Sequence, residues 1–197
     1  MLYLINRAPD KIAEWRWHHG PMPHVVTRHT ADLDPTTARA ARALLFEVFD
    51  DMTDDDWEHC LGGIHALAYA GPQLVGHASL VQRRLVHRGV ALRAGYVEGV
   101  AVRATARRRG HGAALMTALE RLIRGGYDLG ALGATDEAVP FYLARGWRQW
   151  RGPLSALTPD GVRRTPDEDG GVYVLPGPAV LDLDGPLIAD WRGGDVW

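Results

Sequence analysis

Cysteine is almost missing from this sequence: Cys60 is the only one among 197 residues. A disulfide within the chain is therefore excluded, and the reducing cytoplasm is the compartment in which we expect the protein. Cys60 follows His59 directly, a pairing that could suggest a nucleophilic thiol. A small, buried, inert side chain is the simpler interpretation of a lone cysteine.

Long apolar runs are missing as well. No stretch approaches the ~20 residues that a bilayer span requires, and charges and prolines interrupt the N-terminus where a signal peptide has its apolar core. The formal net charge is −2, which argues against a polyanion-binding function for the whole molecule. Neither a membrane nor nucleic acid is therefore an expected partner.

The composition is that of a globular domain, with 46% apolar and 23% charged residues. Residues 1–23 differ from the rest, because they carry Trp15-Arg16-Trp17-His18-His19-Gly20 among several prolines. We expect an N-terminal arm over residues 1–23 and a single domain over residues 24–197.

The alternation of patterns within residues 24–197 predicts a mixed α/β fold. Helices are predicted after the starts at Asp34-Pro35 and Thr53-Asp54, after Gly112, and from Asp136 to Arg145. Strands are predicted at His24 to Thr27, Ile64 to Ala70, Leu74 to Gln82, Ala91 to Val102, Tyr127 to Leu132, Trp147 to Leu157 and Val172 to Leu175.

An arginine- and glycine-rich loop follows the strand that ends at Val102. Free N–H groups at a helix start bind phosphate, glycines let the backbone approach closely, and arginines add charge-assisted contacts. The spacing fits neither the Walker nor the three-glycine dinucleotide pattern, whereas Arg-x-x-Gly-x-Gly resembles the acyl-CoA motif of the GNAT superfamily. The residues predicted to bind the pyrophosphate of acetyl-CoA are Arg107, Arg108, Arg109, Gly110, His111, Gly112 and Ala113.

Further segments resemble one branch of that superfamily, the aminoglycoside 2'-N-acetyltransferases. Among them are Asp56-Trp57-Glu58-His59, Gly95-Tyr96-Val97-Glu98-Gly99-Val100-Ala101-Val102 and the C-terminal Asp190-Trp191-Arg192-Gly193-Gly194-Asp195-Val196-Trp197. The resemblance extends from about residue 24 to the last residue. It implies the GNAT fold, a V-shaped mixed β-sheet flanked by α-helices, with acetyl-CoA as co-substrate, no metal and a homodimeric assembly.

The resemblance also implies catalytic roles for two side chains. Glu98 would be the general base that takes a proton from the amine, and Tyr142 would be the general acid that protonates the departing thiolate. The backbone of Val100, Ala101 and Val102 would bind the pantetheine arm of acetyl-CoA.

Acidic residues are locally concentrated, and no Lys or Arg lies between Arg42 and Arg83. Such clusters are often only solvated faces, but a polycationic drug needs an acidic site. The resemblance implies that the drug site includes Asp51, Asp56, Glu98, Gly99, Gly133, Asp167, Glu168, Asp195 and Trp197. Two positions depart from the family, since Glu168 replaces an expected aspartate and Gly133 a serine of some members.

The sequence therefore predicts transfer of an acetyl group from acetyl-CoA to the 2'-amino group of an aminoglycoside, which would confer antibiotic resistance. Two alternatives stay open. The substrate could be a cellular amine, such as a cell-wall amino sugar or a polyamine, or the chain could bind acetyl-CoA or drug without turnover. The spacing of His59, His65 and His77 fits no common zinc site, so no metal is expected.

Overall fold

The structure is a computed structural model that describes residues 23–197. The expected N-terminal arm, apart from Pro23, lies outside the described residues. The strands of the described part are β1 (His24–His29), β2 (Ile64–Ala70), β3 (Gln73–His87), β4 (Val90–Val102), β5 (Leu129–Gly133), β6 (Arg148–Gln149), β7 (Leu154–Thr158), β8 (Gly161–Arg164), β9 (Val172–Pro176) and β10 (Leu187–Asp190).

Two helices begin where the sequence places N-caps. In α1 (Pro35–Val48) the Asp34 carboxylate accepts hydrogen bonds from the N–H groups of Thr36 and Thr37, at 2.9 and 3.0 Å. In α2 (Asp54–His59) Thr53 and Asp56 form a capping box. The other helices are α3 (His111–Gly126) and α4 (Val139–Leu143). None of the helices in residues 23–197 is both long and apolar enough to cross a membrane.

One mixed sheet connects all ten strands, and β3 is its centre. β4 pairs antiparallel with β3 from Val90 to Val102, while β2 pairs with the first half of β3 and β10 with its last residues. β4 and β5 are parallel, but they pair only over Ala94–Tyr96. Past Tyr96 the two strands separate, which produces the predicted V shape and leaves one side of β4 open.

The helices cover this sheet with apolar side chains. Leu115, Met116 and Leu119 of α3 are fully buried against strands on both sides of the V. α1 buries Leu44 and Leu45 in a separate cluster. These contacts fix the helices to the sheet around the opening between β4 and β5.

The predicted strand from Trp147 to Leu157 is wrong, because this run forms two strands in distant parts of the sheet. β6 lies beside β9, whereas β7 lies between β8 and β10. Pro153 breaks the run because it lacks an N–H group. Gly152 is required there, since any Cβ would collide with the carbonyl oxygen of Gly185.

Other elements differ from the prediction as well. β3 continues past Gln82 to His87, where alternate residues Leu85 and His87 are buried. β8 and β10 were absent from the prediction, since short half-exposed strands carry little periodic signal. α4 covers only Val139–Leu143 instead of Asp136 to Arg145, and no side chain caps its start.

Candidate active site

A cleft of about 670 Å³ lies at the opening between β4 and β5. Its walls come from the α1–α2 loop, the separated ends of β4 and β5, α4 and the C-terminal segment. The sequence-predicted residues that line it are Asp51, Asp56, Glu98, Gly99, Val100, Gly133, Tyr142, Glu168, Asp195 and Trp197. Segments far apart in the sequence therefore meet in one cavity.

A β-bulge places Glu98 at the cleft. Ser79 of β3 pairs with Glu98 and His77 pairs with Ala101, so that two residues of β4 stand opposite one residue of β3. Gly99, inside the bulge, has φ +55°, and a Cβ there would lie 2.9 Å from Cys60 Sγ. Only glycine combines this backbone conformation with so close a neighbour.

The carboxylate of Glu98 forms an ion pair with the guanidinium of Arg192, and both side chains are largely buried. Burial raises the pKa of Glu98, and the nearby Arg192 and Arg83 oppose this shift. Burial prevails over the two cations, so the pKa of Glu98 lies above the usual range for glutamate. A carboxylate with a raised pKa is suited to accept a proton near neutral pH.

Tyr142 is held by α4 and by a buried ionic cluster behind it. Its ring packs against Trp147 at 6.0 Å between centroids. The Trp147 indole N–H donates to Glu120 at 3.0 Å, and Arg145 donates two hydrogen bonds to the same carboxylate at 2.8 Å. Burial raises the pKa of Tyr142 to about 12, so its phenol keeps its proton at neutral pH.

Carboxylates dominate the charge of the cleft. Those that line it are Asp51, Asp55, Asp56, Glu98, Glu168 and Asp195. Arg192 is the one guanidinium among the described lining residues. Burial, together with the charges of Asp195 and Asp167, raises the pKa of Glu168. Asp167 itself is exposed, and it does not line the cleft.

The C-terminal segment closes one wall of the cleft through Arg192. Besides the ion pair with Glu98, Arg192 donates to the backbone oxygens of Asp195 and Trp197, at 2.7 and 3.1 Å. The buried indole of Trp197 donates to Thr165 Oγ1 at 2.9 Å. The predicted residues Asp195 and Trp197 thus depend on an arginine to which the prediction gave no role.

Sequence reasoning missed other lining residues, among them the titratable Asp55 and His59. The ring of His59 donates a hydrogen bond to the carbonyl of Gly193, 2.7 Å away, because a carbonyl oxygen only accepts. A signal existed for Arg192, because it is the only Lys or Arg after Arg164. Asp55 carried no signal that separated it from its acidic neighbours.

Gly133 leaves space beside a buried phenol. The ring of Tyr96 is buried, and among the described residues its hydroxyl has no hydrogen-bond partner. A Cβ at Gly133 would meet nothing closer than this hydroxyl, at 4.0 Å. A serine at position 133 would therefore have room, and its hydroxyl would have the Tyr96 hydroxyl as a hydrogen-bond partner.

The predicted phosphate loop forms the start of α3. Gly110 is its N-cap with φ +82°, a conformation that favours glycine. The first bond within the helix runs from the Ala114 N–H to the Gly110 carbonyl. The N–H groups of residues 111–113 therefore have no partner within the helix. Arg107, Arg108 and Arg109 are all exposed beside them.

This arrangement fits the phosphates and the pantetheine of an acyl-CoA. The helix start offers N–H donors with partial positive charge. Val100 and Val102 are half-buried, Ala101 is buried, and none of the three pairs with β5. For a metal ion, by contrast, residues 23–197 contain no cluster of three His, Cys, Asp or Glu residues able to bind one.

Comparisons with known proteins decide the family. Residues 33–150 match the domain family described as acetyltransferase (GNAT) domain. The chain is also 51% identical over 174 residues to a Mycolicibacterium fortuitum protein described as aminoglycoside 2'-N-acetyltransferase, a match that covers 86% of this chain and 89% of the relative. The chain belongs to the aminoglycoside 2'-N-acetyltransferase family of GNAT acetyltransferases.

Solved structures confirm the predicted fold of this acetyltransferase. An acyl-CoA N-acyltransferase from Pseudomonas aeruginosa matches with a TM-score of 0.56 at 18% identity, over 78% of this chain and 99% of that one. Eis1 from Mycobacterium abscessus matches with a TM-score of 0.55 at 21% identity, over 67% of this chain. The acetyltransferase covers only 33% of the longer Eis1 chain. Likeness at these identities concerns the fold alone.

Proposed function

We propose that this acetyltransferase transfers the acetyl group of acetyl-CoA to the 2'-amino group of aminoglycosides and so confers resistance to them. The observation that carries the proposal is the acidic cleft, in which Glu98 and Tyr142 lie at the opening of the V. The printed name of the Mycolicibacterium fortuitum relative supports the drug and the position.

Acetyl-CoA supplies the acetyl group as a thioester. The free N–H groups at the start of α3 and the three exposed arginines would hold its pyrophosphate. The open side of Val100–Val102 would bind its pantetheine arm as a neighbouring strand, and one of these N–H groups would polarise the thioester carbonyl. These residues would place the acetyl carbon next to Glu98.

Glu98 would accept the proton that the drug's ammonium must lose before it attacks. Its raised pKa suits this role, and Arg192 keeps the carboxylate ionised enough to act. The proton moves from nitrogen to Glu98 directly or through one water. The neutral amine then forms the new carbon–nitrogen bond while the carbon–sulfur bond breaks, and the surplus proton left on the nitrogen passes to solvent.

Tyr142 would protonate the departing thiolate. Its buried phenol keeps its proton at neutral pH. The Glu120–Arg145–Trp147 cluster holds α4, and therefore the phenol, in place. No covalent intermediate on the protein is required by this arrangement.

The other carboxylates would bind the remaining ammonium groups of the drug. Asp51, Asp56, Glu168 and Asp195 face the same cavity from three segments, which suits a cation with several charges. Gly99, Gly133 and Trp197 would form the apolar and backbone contacts. Asp167 would act at longer range, from outside the cavity.

The two alternatives make different predictions. A cellular amine, such as a cell-wall amino sugar or a polyamine, would use the same base and acid and would be separated only by relative rates. A non-catalytic binder has no need of a base and an acid at the opening, which Glu98 and Tyr142 provide. We further propose a cytoplasmic location and a homodimer, as the resemblance implies.

The deciding experiment measures CoA thiol release with acetyl-CoA and two aminoglycosides, one with a 2'-amino group and one with a 2'-hydroxyl group. Release with the amino compound alone supports the reaction and its position. Equal release would contradict the 2' position. Binding of acetyl-CoA without release from either drug would favour a metabolite substrate or a binder, and comparison with polyamines and amino sugars then separates those two.

A further inference from the structure

Two buried histidines lie behind the cleft, and the proposed reaction uses neither. His65 on β2 and His77 on β3 are both 0% exposed. Both pack against Trp57 of α2, with ring centroids 6.1 and 6.2 Å apart. A buried polar ring needs hydrogen-bond partners, so each ring nitrogen must be accounted for.

All four ring nitrogens have a partner within one chain of hydrogen bonds. Thr30 Oγ1 lies 2.9 Å from His65 Nε2. His65 Nδ1 lies 2.9 Å from His77 Nε2. His77 Nδ1 lies 3.0 Å from the carbonyl oxygen of Gly99. The chain runs from the loop after β1, across β2 and β3, to the bulge of β4.

The Gly99 carbonyl at one end decides which atom donates and which accepts in every hydrogen bond of this series. Gly99 O can only accept, so His77 Nδ1 carries a proton and, in the neutral ring, Nε2 is a bare acceptor. His65 must then donate from Nδ1 and accept at Nε2 from the Thr30 hydroxyl, to which this nitrogen, at 2.9 Å, lies closer than the Gly63 carbonyl oxygen, at 3.3 Å. That hydroxyl oxygen in turn accepts from the Gly62 N–H at 2.9 Å. Both rings are thus Nδ1–H tautomers.

The surroundings keep both rings neutral. Burial lowers the pKa of each histidine to about 4. The nearby His29 adds to this shift at His65, whereas the hydrogen bond to Gly99 opposes it in part at His77. A second proton on His77, at Nε2, would place this N–H group opposite the Nδ1–H group of His65. The hydrogen bonds through His65 and His77 therefore persist unchanged over the neutral pH range.

We propose that the His65–His77 pair is a positioning device that fixes the Gly99 carbonyl and, through the bulge, aims Glu98 into the cleft. The catalytic part of this inference rests on the proposed acetyl transfer. At the bulge, two residues of β4 stand opposite one residue of β3. The backbone hydrogen bonds between the two strands therefore cannot satisfy both residues of β4. His77 supplies the donor that a regular ladder would supply.

The test compares two amide substitutions at the same position. In His77→Asn the amide nitrogen takes the place of Nδ1 and can still donate to Gly99, whereas in His77→Gln it takes the place of Nε2 and cannot. We expect kcat to fall on the order of 10²-fold in the Gln variant, since small misplacements at a reacting centre have effects of this size. The Asn variant should recover most of that loss at a similar KM for acetyl-CoA.

Thermal melting of both variants separates positioning from general damage. Equal melting temperatures with unequal kcat support the proposal. Equal losses of kcat in the Asn and Gln variants would overturn it, because the donor to Gly99 would then not matter.

Imidazole nitrogen NMR of the unmodified protein tests the chain without any reference to activity. We expect Nδ1–H tautomers for His65 and His77 at neutral pH, and they should persist in Thr30→Val, because the Gly99 carbonyl at the other end sets the direction of the hydrogen bonds. Nε2–H tautomers would overturn the inference even in an active enzyme. If no amine is acetylated but the Nδ1–H pattern is found, the proposed function fails while the hydrogen-bond chain stands.

Discussion

The cofactor side and the acceptor side of this acetyltransferase are built in different ways. The loop for the pyrophosphate is a short continuous stretch, Arg107 to Ala113, between one strand and one helix. The acceptor cleft collects side chains from the α1–α2 loop, β4, the end of β5, the turn before β9 and the C-terminal segment. In the proposed function a local motif would provide the contacts to the co-substrate, while the assembled cleft can vary with the acceptor.

The largest effect should come from Glu98, where the two sides meet. Glu98→Gln cannot accept a proton, so we expect kcat/KM to fall by about 10²–10⁴-fold. Because the base must be deprotonated, the unmodified enzyme should lose activity as the pH falls through the raised pKa of Glu98. The variant should lack this acidic limb. A variant with the same pH–rate profile as the unmodified enzyme would exclude Glu98 as the base.

Tyr142→Phe removes the proposed acid and should lower kcat on the order of 10²-fold. Acetyl-CoA affinity, measured by calorimetry, should stay nearly the same because the ring remains. Tyr127→Phe, which alters a phenol outside the cleft, is the matched control. Full activity of the Tyr142→Phe variant would mean that water protonates the thiolate.

Arg192→Gln should shift the pH profile instead of abolishing activity. Three charged groups act on Glu98, namely Arg192 and Arg83, which lower its pKa, and Asp195, which raises it. Removal of Arg192 should raise the pKa further, so the acidic limb of kcat/KM should move to higher pH. Arg192→Lys keeps the charge and should leave the limb in place. A shift to lower pH would contradict the ion pair's role.

Substitutions of single exposed charged residues should distinguish the cofactor side from the acceptor side by the KM that each one raises. An exposed ionic contact contributes about 0–1 kcal/mol, so a KM should rise by at most about fivefold. Arg109→Ala should raise the KM for acetyl-CoA alone, and Asp51→Asn should raise the KM for the drug alone. If each substitution raised both constants equally, the division into two sides would be wrong.

The substitution at Gly133 is expected to change the stability of the fold instead of the activity. Gly133→Ser should give the buried Tyr96 hydroxyl a partner and stabilise the fold by about 0.5–1.5 kcal/mol. Thermal melting checks this, with Gly133→Ala as the control that fills space without a hydroxyl. The gain should vanish when Tyr96→Phe is added, and a gain that persists there would come from packing alone.

The same division explains what the sequence could predict. Helix starts at Asp34 and Thr53 depend on neighbouring residues, and their patterns were read correctly, whereas α3 begins at His111 instead of after Gly112. The Glu98–Arg192 pair joins residues 94 positions apart, and no periodicity reports such a contact. β10 lies between β3 and β7 for the same reason: its partners are set by tertiary packing.

Neighbouring acidic residues show a second limit. Glu168 lines the cleft and Asp167 does not, although both belong to one short 3₁₀ helix, Pro166–Glu168. Adjacent residues in such a turn point in different directions. Composition identifies the acidic segment, but only the backbone decides which carboxylate faces the cavity.

The close approach of Cys60 to Gly99 has a practical side. The only thiol of the chain is buried beneath the bulge, and burial raises its pKa to about 12. At neutral pH it is neither accessible nor ionised, so the folded protein has no thiolate that could attack an aromatic disulfide dye. Release of CoA can therefore be followed continuously with such a dye, and a slow thiol signal from the protein itself would report unfolding.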